Sequence, residues 1–180
     1  QGEPIDLELM DFGATGHAPV ALWRGDRDSP GATSAVRSYH PTTFVRTGLV
    51  NNIPYRAIDI ATCSRDPGPN SEEVIGEHLL VLSDASLLSL YSDTGSLIGQ
   101  KLLTQSQTGY YPFGKGAHTM VVGELVENTP VANSSSPAYT QEVVVATNTG
   151  LMWMHVSELL APGNLLPAST QGGGTGFALH

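Results

Sequence analysis

One strand–turn–strand pattern occurs twice in this sequence, starting at Leu79 and again at Val143. In each copy an apolar run of four residues meets a polar turn, and a second apolar run follows. The runs cover residues 79–82 and 87–91 in the first copy, and residues 143–146 and 151–155 in the second. Duplication of this kind predicts a fold assembled from similar structural units.

Composition favours an all-β chain. Charged residues make up 14% of the sequence, while 20 Gly and 12 Pro provide many turns and 40% hydrophobic content is enough for a buried core. Short apolar runs bounded by Gly, Pro, Asn and Asp recur throughout the chain. They predict about ten strands, at residues 5–12, 19–24, 42–50, 55–63, 78–83, 87–92, 97–103, 118–126, 141–147 and 151–156.

The duplicated pattern extends upstream of its two clear copies. Residues 45–52 (VRTGLVNN) resemble residues 121–128 (VVGELVEN), and a fainter echo lies within residues 7–26. Each unit reads as strands joined by tight turns, which is the anatomy of a propeller blade. We therefore predict antiparallel, blade-like sheets of a partial β-propeller. The β domain spans residues 1–166 in units of about 1–41, 42–109 and 110–166, and residues 167–180 form a flexible, Gly-rich tail.

Two segments carry a family resemblance. Residues 87–98 (LLSLYSDTGSLI) look like blade segments of quinoprotein-type propellers, and residues 142–153 (EVVVATNTGLMW) resemble the FG-GAP repeats of integrin-α-like proteins. The resemblance implies a propeller fold. It implies no dehydrogenase activity, because the polar and basic residues that hold the quinoprotein cofactor have no match here. No catalytic or cofactor-binding residue is predicted.

FG-GAP repeats typically carry an Asp-rich calcium loop, and the nearest match is the segment from Asp26 to Gly31. Asp26 and Asp28 supply alternating carboxylates, but Pro30 stands where a third oxygen ligand would be useful. Calcium takes six to eight oxygen ligands. Asp26 and Asp28 are therefore calcium candidates, with an ordinary acidic turn as the alternative.

Asp93-Thr94-Gly95-Ser96 spells the aspartic-protease signature, in which two carboxylates share a proton. The corresponding turn in the second copy runs from Thr147 to Gly150 and has no Asp at the catalytic place. A blade turn explains both copies, whereas a protease explains only one.

Charge and surface motifs limit the function classes. A net charge of −9 and eight scattered Lys and Arg residues argue against nucleic-acid binding, and no apolar run is long enough to cross a bilayer. Asn133-Ser134-Ser135 is a glycosylation sequon in a predicted exposed loop, so Asn133 is a candidate acceptor and a secretory or extracellular location is slightly favoured. Arg24-Gly25-Asp26 matches the tripeptide that integrins recognise, with a strand-ending turn as the simpler interpretation.

Three units are too few to close a propeller, which generally has four to eight blades. We therefore expect a non-catalytic scaffold or protein-recognition module whose partner is another protein chain or the rest of a larger polypeptide. The alternatives are a calcium-dependent adhesive ectodomain, a virion or shell protein with a jelly roll, and a protease-like or quinoprotein-like enzyme. Cys63, the sole cysteine, is expected to be a buried apolar residue in a strand.

Overall fold

The computed structural model describes residues 2–24, 33–53, 55–65, 76–103, 116–124, 139, 141–148 and 150–160. Within them the chain is all-β, with three antiparallel sheets and two short 3₁₀ segments at Gly13–Thr15 and Val156–Leu160. No helix in these ranges has the length and apolarity needed to span a bilayer. The prediction of an all-β chain is confirmed.

Each sheet is a meander of consecutive strands. The first sheet contains β1 (Glu3–Asp11), β2 (His17–Arg24), β3 (Ser34–Tyr39) and β4 (Arg46–Ile53). The second contains β5 (Ala57–Cys63), β6 (His78–Ser83), β7 (Leu87–Tyr91) and β8 (Leu97–Leu102). The third contains β9 (Ala117–Gly123), β10 (Glu142–Thr147) and β11 (Gly150–His155).

The second sheet lies between the other two, and its central strands β6 and β7 are buried on both faces. All six residues of β6 and all five of β7 are buried, which explains why their sequences read as continuous apolar runs instead of alternating. One face packs on the first sheet, where Leu79 and Val81 join Val20 and Leu22 in one core. The opposite face packs on the third sheet through a second core that includes Leu80.

The two copies of the strand–turn–strand pattern occupy matching positions. Both β6–β7 and β10–β11 are the second and third strands of their sheets. The upstream extension differs, because residues 45–52 lie largely in β4, the last strand of the first sheet, while β9 begins the third. The first sheet therefore runs to Ile53, past residue 42 where the sequence pattern started a second unit. The strand at Ser34–Tyr39 was not predicted, because its Arg and Ser residues obscure the alternation of apolar and polar side chains that marks a strand.

Candidate functional site

The first strands of the three sheets lie side by side, with β5 against both β1 and β9, and one carboxylate links each pair. Asp6 on β1 accepts a hydrogen bond through Oδ2 from the backbone N–H of Ile60 on β5, at 3.0 Å. Asp59 on β5 does the same for Met120 on β9, at 2.6 Å. The same Asp59 oxygen accepts the hydroxyl proton of Thr119 at 2.5 Å. The first and second sheets thus each offer a carboxylate to the sheet that follows.

Local strand geometry places these side chains. In every first strand the pairing register slips by one residue just before the linking position, as a β-bulge does. The residue after the bulge is Asp6 in β1, Asp59 in β5 and Thr119 in β9. Bulges turn side chains away from the regular pleat, and here the turned side chain reaches the neighbouring sheet.

The surroundings of the Asp59 carboxyl group disfavour its ionised form. Burial, followed by a hydrogen bond with the Asp6 carboxyl group, raises the pKa of Asp59 to about 6. The hydrogen bonds from Thr119 and Met120 act in the opposite direction, because they favour the ionised form. Asp59 therefore changes its charge near neutral pH at the point where three sheets meet.

The outer face of the first sheet is open. Leu7 follows Asp6 directly, as Ile60 follows Asp59 and Met120 follows Thr119. Ile60 is 1% exposed and Met120 is 8% exposed, because a preceding sheet covers each of them. Leu7 is 66% exposed, and Leu9 on the same face is exposed as well. Leu7 occupies a position that is buried in both other sheets.

The outer face of the third sheet is open at the corresponding place. Val121 is 62% exposed, whereas Ala61, one residue after Ile60 in β5, is 7% exposed beneath the third sheet. Val121 forms a cross-strand row with Val144 and Trp153. This row is apolar, and Thr119 beside it carries a hydroxyl where β1 and β5 carry carboxylates.

Cations gather on the open face of the first sheet. Leu7, Ala21 and Arg37 are register partners across β1, β2 and β3, so they lie on one face. A cavity of about 360 Å³ on this face is lined by Arg37 together with Trp23, Arg24 and Arg46. Three of the eight Lys and Arg residues of an acidic chain therefore meet here. The Arg24 guanidinium also pairs with the Glu3 carboxylate, and the Trp23 indole N–H donates to the Tyr39 hydroxyl at 2.9 Å.

A second group of titratable side chains is buried between the second and third sheets. The His78 ring contacts the Tyr139 hydroxyl, and Cys63 is the register partner of His78. Burial raises the pKa of the Cys63 thiol to about 12, lowers the pKa of His78 and raises the pKa of Tyr139. The thiol is therefore protonated at neutral pH, and a thiolate nucleophile is not available. Cys63 is buried in its strand, as predicted.

The Asp-Thr-Gly segment forms the turn between β7 and β8. The N–H of Gly95 donates to the Ser92 carbonyl at 2.9 Å, and the N–H of Ser92 donates to the Ser96 carbonyl at 2.8 Å. Gly95 has a φ of +80°, and a Cβ there would lie 1.9 Å from the Leu49 carbonyl oxygen of the first sheet. The glycine is thus required by a tight turn pressed against β4. This local geometry accounts for the glycine of the motif as part of a tight turn.

The other sequence-predicted sites fall outside the described residues. These are the calcium candidates Asp26 and Asp28, the sequon at Asn133 and the last two residues of the Arg24-Gly25-Asp26 tripeptide. Among the residues that the structure does describe, no group of three or more His, Cys, Asp or Glu side chains is arranged to hold a metal ion.

Sequence reasoning missed Asp6, Asp59 and Thr119. Their spacings of 53 and 60 residues differ, because the loops between sheets differ in length, so no fixed period marks them. A short common signal does exist: in the two acidic cases the segment reads Ile-Asp, preceded by an apolar or turn residue and followed by an apolar one.

The likeness to quinoprotein-type and FG-GAP blades rests on short segments of the sequence. The structure adds meander sheets whose first strands adjoin one another. No protein-family model, curated protein or solved structure matches the chain.

Proposed function

We propose that this chain is a non-catalytic scaffold or protein-recognition module, and that its sheets are blades of a larger propeller completed by another chain or by further polypeptide. The observation that carries the proposal is the exposure of Leu7 at 66%, against 1% and 8% at the corresponding Ile60 and Met120. The exposure of Leu7 and Leu9 on one open sheet face supports the proposal, because adjoining exposed apolar side chains are typical of protein-binding surfaces.

The connections within the sheets support blades over a shell-type jelly roll. Strands joined in sequence order form simple meanders, and a sheet of consecutive antiparallel strands is the unit of a propeller blade. A jelly roll instead uses two sheets with Greek-key crossings. The middle sheet, covered on both faces by its neighbours, supplies an internal example of the packing proposed for the two outer faces.

Burial of the outer faces also has an energetic rationale. Fully burying a leucine or valine side chain contributes about 1.5–3 kcal/mol. Leu7 and Val121 together therefore favour association before any polar contact is counted. Such a module acts by presenting loops on a rigid stack of sheets, and its activity is recognition.

The test is hydroxyl-radical footprinting of the native particle that contains this chain, combined with its mass. We expect a mass above the 19.0 kDa of the chain and strong protection of Leu7 and Val121 relative to the isolated chain. Phe44 and Tyr55, which are exposed outside the sheet faces, serve as controls and should react equally in both samples. A 19 kDa particle with fully reactive Leu7 and Val121 would contradict the proposal.

A further inference from the structure

The N–H of Leu7 has fewer carboxylate contacts than its counterpart in the second sheet. Ile60 donates both to its neighbour Asp59 through Oδ1, at 3.0 Å, and to Asp6 of the preceding sheet, at 3.0 Å. Leu7 donates to its own neighbour Asp6, at 2.8 Å. Within the described ranges no preceding sheet lies beside β1. The open face therefore displays the same N–H donor without the carboxylate that a preceding sheet would bring.

The electrostatics of this face favour an acidic partner. Arg37 is two strands from Leu7 in the same cross-strand row, about 10 Å away at the usual spacing between strands. Arg24 and Arg46 line the adjacent cavity. This distance is slightly more than the Debye length of about 8 Å at physiological salt, so the arginines attract a carboxylate that approaches the Leu7 N–H weakly there and more strongly at low salt.

Within the described strands of the third sheet, no side chain on the open face supplies that carboxylate. Thr119 stands at the place of Asp6 and Asp59, and its hydroxyl is already donated to Asp59. The nearby Glu142 is fully buried and paired with His155 at 3.0 Å. A second copy of this chain, stacked head to tail, would bring a hydroxyl instead of an anion.

Building on the proposed function, we propose that the open face of the first sheet binds a β-sheet from a different source whose first strand places an aspartate carboxylate on the Leu7 N–H. That partner sheet also presents acidic side chains toward Arg37 and Arg46. The two internal contacts between sheets are the template: a bulged first strand, an aspartate, and the N–H of the next sheet. The chain thus accepts a carboxylate from the sheet before it.

A variant of this chain can serve as the partner that tests whether a carboxylate binds the Leu7 N–H. Thr119→Asp installs the missing carboxylate on the open face of the third sheet, and Thr119→Asn is the matched uncharged control. The carboxyl groups of Asp6 and Asp59 already lie within hydrogen-bonding distance of each other, so the fold accommodates neighbouring carboxyl groups. By sedimentation equilibrium at pH 8, we expect T119D to self-associate head to tail at least about tenfold more tightly than T119N or the wild-type chain, the factor typical of a hydrogen bond to a charged group.

A second pair of variants isolates the donor. In the T119D background, Leu7→Pro removes the N–H and Leu7→Ala keeps it, while both lose the leucine side chain. Proline is tolerated on an edge strand where the N–H faces outward. We expect L7A to retain most of the gain and L7P to abolish it. Equal association of T119D and T119N, or wild-type association as tight as T119D, overturns the proposal, and the latter result makes a second copy the occupant.

If circular dichroism shows that T119D is unfolded, hydroxyl-radical footprinting of the native particle tests the proposal instead. Arg37→Glu should remove the protection of Leu9 from hydroxyl radicals there, while Arg37→Gln should retain it. Protection of Leu9 that persists in R37E overturns the proposal that the partner is acidic. Wild-type protection of Leu7 and Leu9 reports only whether a sheet covers the face, so the proposed function can stand while this chemistry fails.

Discussion

Replacement of Asp59 by asparagine should remove a pH dependence that the wild-type fold carries. The pKa of Asp59 is raised to about 6 in the folded protein, from an ordinary value of 3.8, because of burial and the Asp6 carboxyl group. Above about pH 6 the folded and unfolded forms are both ionised, and the folded form bears the cost of the buried charge. As the pH falls from about 6 toward 4 the folded form takes up the proton first, so its stability rises.

The magnitude follows from the same two values. Their difference corresponds to about 3 kcal/mol at most, and partial exposure of the carboxyl group to solvent reduces this to about 1–2 kcal/mol. The substituted amide in D59N keeps an oxygen that can accept from Met120 and Thr119 while removing the charge. We therefore expect D59N to be about 1 kcal/mol more stable than wild type at about pH 7.5 and equally stable at about pH 3, where Asp59 is protonated in both the folded and the unfolded forms.

Urea unfolding at both pH values measures the effect. The quantity compared is the difference in unfolding free energy between D59N and wild type, since the opposing titration of His78, whose pKa is lowered by burial, then cancels. Glu8→Gln is a matched control on the adjacent strand, and it should leave the Asp59 titration in place. A wild type that is more stable than D59N at the higher pH, or equal pH slopes for the two proteins, would refute the reasoning.

Three further results are expected. Gly95→Ala should lose at least about 2 kcal/mol in chemical denaturation, because a left-handed φ of +80° and a Cβ 1.9 Å from the Leu49 carbonyl oxygen both oppose it, whereas Gly123→Ala, which meets open space, should change stability little. Cys63 should react with a thiol reagent only at the rate of unfolding, as its thiol is buried with a pKa of about 12; rapid labelling in native buffer would exclude this burial. Added calcium should leave the melting temperature unchanged, because Asp26 and Asp28 offer only two carboxylates; a rise that D26N abolishes would instead establish the calcium site.

The sequence predicts strands well where both faces of a strand are apolar and poorly where one face is charged. The run at residues 79–82 is unmistakable because the second sheet is covered on both sides. The strand at Ser34–Tyr39 escapes because Arg37 points to an open face, where polar side chains break the pattern. The strand that the sequence pattern misses therefore lies where an open face of its sheet carries a charged side chain.

The grouping of strands into sheets was harder to predict, since similar segments do not always hold similar positions. Residues 45–52 match residues 121–128 in apolar pattern, yet they lie largely in the last strand of one sheet, whereas the latter begin in the first strand of another. Apolar alternation describes a half-buried strand wherever it lies. The position of a strand within a sheet depends on which other strands pair with it, and that information is tertiary.

The carboxylate contacts give the stack of sheets a direction. Each internal contact runs from an aspartate on one first strand to an N–H on the next, so the two ends of the stack are chemically different. The first sheet ends in the Leu7 N–H donor, on the face where Arg37 and Arg46 line a cavity, and the third ends in a threonine beside an apolar row. In the proposed assembly, a partner of the first sheet supplies an acid and a partner of the third sheet supplies an apolar surface. A partner that fits one end would then be a poor fit for the other, so this asymmetry would set the order in which sheets are added.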